Sequence, residues 1–360
     1  MKSHDVVIIG AGAIGLSLAR KLRLAGLTVL VIEKREPVSE SSYAAGGMIA
    51  ACDPDIPECL KPLVAASAGM YPEFVREIEL ESDEAVDLRG AGAIAWFGED
   101  KQPGCESARR LTVAELSRIE PLLRPRKGAW FLPERSVDPR ALGRTLLKAA
   151  KHTGVDLITG STVSEVFVAD GHAAGVTTSH SVYRAAIVVN CAGAWATQIA
   201  PIEIPIRPVK GQMVCLVPPS DAPHRRPLLR HVVRTPDIYI IPRSDGRILL
   251  GATVEDVGFD KRVDADIIQK LHYAAVDAAS ALASMRIHDA WAGLRPGSPD
   301  NLPIMGETSL PGYFAATGHY RDGIMLAPIT AHLLTQLLCG RTPDFDLQPF
   351  SPQRFGADRI

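Results

Sequence analysis

Three glycines and one glutamate carry the most legible chemistry in this sequence. Gly10-x-Gly12-x-x-Gly15 is the spacing that lets a chain wrap a pyrophosphate. Gly10 permits the tight turn, Gly12 lets the backbone approach the phosphates, and Gly15 lets a helix pack close against a strand. The helix that follows would point free N–H groups and a positive dipole end at the anion. Further on, Glu33 is placed to accept hydrogen bonds from ribose hydroxyls, and its charge would repel a 2′-phosphate, which argues against NADP. A lone glycine fingerprint is weak evidence, so its weight depends on the elements around it.

Those elements are in place. Val6–Ile9 reads as a buried strand. Ile14, Leu18, Ala19 and Leu22 form the stripe of an amphipathic helix, with Gly26 as its terminating residue. Val29–Ile32 reads as a second strand that ends at Glu33, and such a βαβ crossover implies a parallel sheet. Beyond it come a small-residue loop at 39–50 and a helix around 60–80. A short strand is expected at Ala93–Phe97, and a helix from Asp138-Pro139 to about Thr153, with aspartate as N-cap and proline at N1. Strands are expected at Val155–Ile158, Val163–Val168, Ala186–Asn190, Gln212–Val217, Ile238–Ile241, Ile248–Gly251 and Gly312–Ala316. Ser244–Arg247 is a hairpin turn signal. An alanine-rich helix is expected at 264–285 and a last one at Ile324–Cys339.

The nucleotide-binding pattern occurs at the start, near 155–195 and near 313–340, so another unit must interrupt it. The expected class is α/β (α+β overall): a Rossmann-like domain with a parallel sheet, plus a substrate domain on a mixed, largely antiparallel sheet. Residues 1–85, 140–203 and 289–360 are expected to form the first, and 86–139 and 204–288 the second.

Composition narrows the function. Apolar residues at 46% and charged residues at 22% are ordinary for a globular protein, and a net charge of −2 offers nothing to nucleic acid or an anionic membrane. No apolar run approaches membrane-spanning length. With a strand from residue 6, no signal segment is expected, and a cytoplasmic location follows as the default. The six cysteines show neither a CxxC pair nor zinc-ligand spacing with histidine, so free thiols in a reducing compartment are expected.

Gly10–Gly15, Glu33-Lys34, the Ser41–Met48 loop and Cys191-Ala-Gly-Ala-Trp195 together resemble the D-amino-acid oxidase-like flavoproteins. Arg207–Gln212, Trp291–Pro296 and Gly318–Ile324 bring the resemblance closest to the glycine oxidases of thiamine biosynthesis. It spans essentially the whole chain and implies noncovalent FAD. By that resemblance Ala13 and Ile14 would lie on the phosphates with Gly10, Gly12 and Gly15, and Glu33 and Lys34 on the ribose. Ser41 and Ser42 would touch phosphate or ribitol. Gly46, Gly47, Met48 and Gly193 would lie near the cofactor, and Val163 would hold adenine through its backbone. His319, Tyr320, Arg321, Asp322, Gly323, Ile324 and Met325 would wrap the pyrimidine end of the flavin. A helix N-terminus following that loop would stabilise negative charge on a reduced flavin.

A free amino acid also needs its carboxylate held, and the arginine fork suits both oxygens. The resemblance places Arg295 as the clamp, Arg321 as a second cation beside substrate and flavin, and Tyr239 as a phenol at the pocket. Met48 and Val254 would be apolar walls. The implied reaction is oxidative deamination of glycine, sarcosine or D-alanine by hydride transfer to the flavin. Dioxygen would be the acceptor and the product an imino acid that water hydrolyses; no general base is required. A homotetramer and a role in making the thiamine thiazole are implied in the same way. An N-methyl amino acid oxidase and a quinone-linked D-amino-acid dehydrogenase are alternatives on the same fold, and a tRNA-modifying flavoprotein is a remote one. Asp322 departs from the family, where asparagine commonly follows the arginine, and its charge could offset Arg321.

Overall fold

The computed structural model describes residues 3–98, 100–219 and 227–356. A six-stranded sheet forms one half. Its order is Ile304–Glu307, Tyr313–Thr317, Ile187–Asn190, Val6–Ile9, Val29–Ile32 and Asp156–Ile158, parallel except for the Ile304–Glu307 edge. Successive side chains of a strand face opposite ways, and both faces here are apolar. Val6, Ile8, Val29 and Val31 pack under helices Ala13–Leu24, Lys61–Ser82, Pro139–His152 and Ala327–Leu338. Val7, Ile9, Leu30 and Ile32 pack against the three-stranded sheet that starts at Val163. This explains why the strands read as unbroken apolar runs. At about 1.5–3 kcal/mol per fully buried aliphatic side chain, the two layers anchor the strand ends where the glycine turn leaves.

An eight-stranded sheet forms the other half: Arg286–Gly297, Arg207–Val217, Ile248–Gly251, Tyr239–Pro242, Val232–Arg234, Ala93–Ala95, Trp130–Leu132 and Arg109–Arg110. It is antiparallel except where Val232–Arg234 runs parallel to Ala93–Ala95. One face packs on helix Ala265–Ala278 through Val214, Leu250, Ile268 and Leu271. The other carries Met213, Tyr239, Ile241 and Trp291. The expected class, a parallel-dominated sheet with a largely antiparallel one, is what the chain adopts.

Local signals were accurate where they rest on geometry. Asp138 caps its helix, accepting from the amides of Arg140 at 2.9 Å and Ala141 at 3.3 Å, with Pro139 as the first helical residue. The Ser244–Arg247 turn closes a hairpin, with the Arg243 amide donating to the Arg247 carbonyl. The strand Arg286–Gly297 was not foreseen. It pairs along its length with Arg207–Val217, from Arg207 opposite Gly297 to Val217 opposite Arg286. The boundary expected at 289 falls inside it. Its alternation is masked because Trp291, Gly293 and Arg295 share one face while His288, Ala290 and Ala292 mix polar and small residues on the next.

One expectation is corrected. Cys52 and Cys105 form a disulfide across 53 residues of sequence, with Cα atoms 4.9 Å apart; Cys59, Cys191, Cys215 and Cys339 are free. The chain near Gly104 folds back so that its amide donates to the Cys52 carbonyl, a contact no spacing rule foretells. The argument from free thiols to a reducing compartment therefore does not hold. Among the described residues no helix is long and apolar enough to cross a membrane.

Candidate functional site

A cavity of about 1100 Å³ lies between the two sheets and touches both. That is at the upper end of small-molecule sites, as a dinucleotide with a small co-substrate requires.

At one end the first strand stops and the glycine turn begins. Gly10, Gly12, Ala13 and Ile14 line the wall. Helix Ala13–Leu24 opens at Gly12 without a side-chain cap of its own; the Ala13 amide donates to Ser42 Oγ at 3.0 Å. Gly15 does not line the cavity. It lies under the turn, where a Cβ would sit 2.0 Å from the Gly10 carbonyl oxygen, so its task is the close packing of helix on strand. Glu33 is buried, with one carboxylate oxygen accepting from the Ala11 amide at 2.8 Å and the other from the Arg35 amide at 3.0 Å. Two fixed amides aim this carboxylate, which faces the cavity.

Lys34, half-buried, holds its ammonium 3.1 Å from the ring centroid of Trp195. Burial depresses its pKa to about 8, opposed by Glu40 and Glu33. Val163, Gly193 and Trp195 complete this end. Ser41 Oγ donates to the Leu294 carbonyl, and Trp291 Nε1 donates to the Ala44 carbonyl at 3.1 Å. These two bonds tie the Ser41–Met48 segment to the neighbouring strand, and Gly46, Gly47 and Met48 line the middle of the cavity.

At the other end the antiparallel sheet contributes side chains. Arg295, half-buried, donates from Nη1 to the carbonyls of Thr253 at 3.0 Å and Lys210 at 3.3 Å. One nitrogen is thus anchored to backbone, and Nη2 and Nε remain. The guanidinium lies over Gly211, where a Cβ would come within 2.4 Å of it. The Tyr239 hydroxyl donates to Met213 Sδ at 3.3 Å. Burial raises its pKa, partly offset by Arg295, so the phenol stays protonated. Val254 is on the wall, though largely exposed.

The segment 319–324 crosses between the ends, and His319, Tyr320, Arg321, Asp322, Gly323 and Ile324 all line the cavity. Met325 does not; it is buried, and its carbonyl accepts from Ser67 Oγ at 2.6 Å. His319 Nε2 lies 3.0 Å from Thr330 Oγ1, and burial drops its pKa to about 3, so the ring is neutral. Arg321 is exposed to the cavity with its guanidinium 5.7 Å from the Tyr320 ring. Asp322 makes no ion pair with it within 4 Å. Burial raises the Asp322 pKa to about 6, with Arg321 opposing.

One cluster on the wall escaped the sequence reading. Arg234, buried, donates to Asp53 at 2.6 Å and to Glu134 at 3.1 Å, and Glu134 also accepts from the Cys52 amide. Burial raises the pKa of Glu134. Arg234 and Asp53 line the cavity. Nothing in the sequence around Arg234 marks it; only the fold brings these three residues together.

The parallel-dominated sheet and the antiparallel sheet thus share one cavity. Residues 5–337 match the family described as FAD dependent oxidoreductase, and the chain belongs to that family. It is 35% identical over 365 residues to the bifunctional protein ThiO/ThiG of Trichormus variabilis, covering 98% of this chain and 55% of that one; the chain spans about half the length of the bifunctional relatives it matches. It is 34% identical to the glycine oxidase of Pseudomonas aeruginosa, covering 97% of this chain and 99% of that one. Among solved structures, glycine oxidase from Geobacillus kaustophilus superposes with a TM-score of 0.90 at 29% identity, covering 98% of this chain and 99% of that one.

Proposed function

We propose that this chain uses noncovalent FAD to oxidise a small α-amino acid, with glycine, sarcosine and D-alanine as its substrate class and dioxygen as acceptor. The reading is carried by one observation: the glycine-turn helix end and the Arg295–Tyr239 pair share a single cavity.

The residues fit the cofactor. A buried carboxylate fixed by two amides, a helix N-terminus that Gly12 leaves without a cap of its own, and a turn in which Gly10 and Gly15 have no room for a side chain suit ribose and pyrophosphate. Val163 would hold adenine, and Ser41, Ser42, Gly46, Gly47, Met48 and residues 319–324, which line the same cavity, the rest. Bound FAD supplies the acceptor for the hydride that leaves the substrate Cα.

The chain's own residues do the positioning. Arg295 presents its remaining guanidinium nitrogens, beside the Tyr239 hydroxyl, to a carboxylate, and its anchored Nη1 restricts the fork's rotation, which orients the Cα–H bond. The protonated Tyr239 donates to the same carboxylate once its weak bond to sulfur is exchanged. Arg321 adds a second positive charge. The neutral His319 and the apolar Met48 and Met213 limit the water around the amine, so the substrate reacts with its amine unprotonated. The six-stranded sheet serves the cofactor and the eight-stranded sheet the substrate, with the junction after Gly297 rather than at 289, since Arg295 sits on a strand of the second sheet. The resemblance of the ThiO/ThiG relative supports a place in thiazole synthesis for the product.

Anaerobic mixing of the purified yellow protein with glycine, sarcosine and each alanine enantiomer tests this. Bleaching of the flavin by at least one of them, with stoichiometric peroxide on admitting air, is expected. Bleaching without peroxide would point to a dehydrogenase that needs another acceptor. No bleaching with any small amino acid would sink the proposal.

A further inference from the structure

Arg243 is the largest fully buried side chain among the described residues, with no exposed surface. It directly follows the strand Tyr239–Pro242, at the start of the hairpin turn. Its side chain makes a single hydrogen bond, from Nη2 to the Gly46 carbonyl at 2.7 Å, while Nε and Nη1 are buried without a partner. No carboxylate lies within 4 Å of it. Asp138 and Asp87 act on it from further away and favour its charge, whereas Arg247 and Arg89 oppose it. Asp138 is engaged by Arg247 at 2.7 Å, and Asp87 accepts from the amide and hydroxyl of Ser244.

A buried cation with one hydrogen bond is costly to folding. Burial pushes its pKa down to about 10, which still leaves it charged. An apolar side chain of similar length would satisfy the core better, so the charge calls for a reason beyond packing.

The location supplies one. Gly46 and Gly47 line the cavity, and Arg243 reaches the carbonyl of the first from behind the wall. The segment has no slack: a Cβ at Gly47, whose φ is +73°, would fall 2.0 Å from the Val137 carbonyl oxygen, and one at Gly46 would meet Ile241 at 2.8 Å. The Gly47 carbonyl accepts from the Val137 amide at 2.8 Å. The loop is therefore pinned from two sides, and one pin is a cation that no adjacent carboxylate neutralises.

We infer that Arg243 is a positioning residue for the cofactor: it fixes the Gly46–Gly47 wall and, as a buried charge without a direct ion-pair partner behind that wall, favours the reduced, more negative cofactor over the oxidised one. This rests on the proposal that the flavin lies along Gly46–Met48. The charge acts through a low-dielectric wall rather than by contact, as a preorganised field does. A merely structural Arg243 would leave the cofactor's potential alone.

The test is the midpoint potential of bound FAD, read against a reference dye in the holoenzyme and two variants. In Arg243→Met the preference for the reduced cofactor is expected to fall about tenfold, roughly 30 mV for a two-electron couple, with stability unchanged or improved. In Asp87→Asn, which removes a distant counter-charge while leaving an amide oxygen to accept from Ser244, the potential is expected to move the opposite way by a smaller amount. An Arg243→Met protein with the wild-type potential, or two variants that shift in the same direction, would overturn the inference. If Arg243→Met does not fold, an unmoved Asp87→Asn potential overturns it alone. If no amino acid bleaches the wild type while the potentials still move as stated, the substrate reading fails and the Arg243 assignment stands.

Discussion

In the proposed function the two ends of the cavity recognise by different means, one taking the nucleotide and the other the substrate. The nucleotide end is built from backbone: a turn of glycines, an open helix N-terminus, and a glutamate held by the amides of Ala11 and Arg35. The substrate end is built from side chains: Arg295 anchored on two carbonyls, Tyr239 over Met213, and Arg234 between Asp53 and Glu134. Backbone recognition constrains which residues can stand at a position, because a Cβ at Gly10 or Gly15 collides with backbone. Side-chain recognition constrains where a residue ends up in space, which is a property of the fold.

That difference predicts how each end breaks. A methyl group at Gly15 would fall on the Gly10 carbonyl oxygen, a backbone atom that cannot swing away. Gly15→Ala is expected to cost at least about 2–3 kcal/mol of stability and to abolish stoichiometric FAD retention, by urea unfolding and flavin content. A variant that kept both would show the turn to be softer than its geometry implies. At the other end, Arg295→Met is expected to leave the flavin spectrum and FAD content intact while kcat/KM for the best amino acid falls about a hundredfold or more, on the order of 3 kcal/mol for losing a carboxylate's partner. Loss of FAD instead would mean that the two ends are not separable, and unchanged kcat/KM would remove Arg295 from the clamp.

The same contrast explains what was legible before the fold was known. Gly10–Gly15 with Glu33 pointed to a nucleotide site because their spacing is a geometric demand, and the βαβ crossover between buried strands implied a parallel sheet. Arg295, Arg321 and Tyr239 were picked out only through family resemblance; their residue types alone would have left them among many surface arginines and core tyrosines. Arg234, Arg243 and the Cys52–Cys105 bond were invisible, because each depends on contacts across roughly fifty to two hundred residues of sequence. The strand that carries Arg295 was hidden by its own glycines and mixed faces.

A smaller effect is expected where the two ends meet. Asp322 titrates near 6 because burial disfavours its charge, with Arg321 and Arg234 opposing and Asp53 adding to the rise. Below that pH the carboxyl is neutral; above it a negative charge appears beside Arg321. KM for an amino acid carboxylate is therefore expected to rise a few-fold as pH goes from about 5 to 7. In Asp322→Asn the rise should vanish while the higher-pH KM falls to the low-pH value. A profile unaltered by the substitution would mean that Asp322 is not sensed by the substrate, and that Arg321 acts independently of it.

The smallest effect belongs to the nucleotide end and tests whether a side-chain charge beyond that of Glu33 matters there. The Lys34 ammonium sits over Trp195 and, for want of solvent, loses its proton near pH 8. Its charge is present below that pH and gone above it, so FAD affinity is expected to weaken slightly as pH rises through 8. Lys34→Met should show the weaker affinity at every pH, by about 0.5–1 kcal/mol, the size of a partly exposed charge contact, with no inflection near 8. The amides and the helix end do not titrate, and they should hold the rest of the affinity constant. If Lys34→Met instead lost FAD outright, backbone recognition would not suffice at this end, and the contrast between the two halves of the cavity would have to be redrawn around charge.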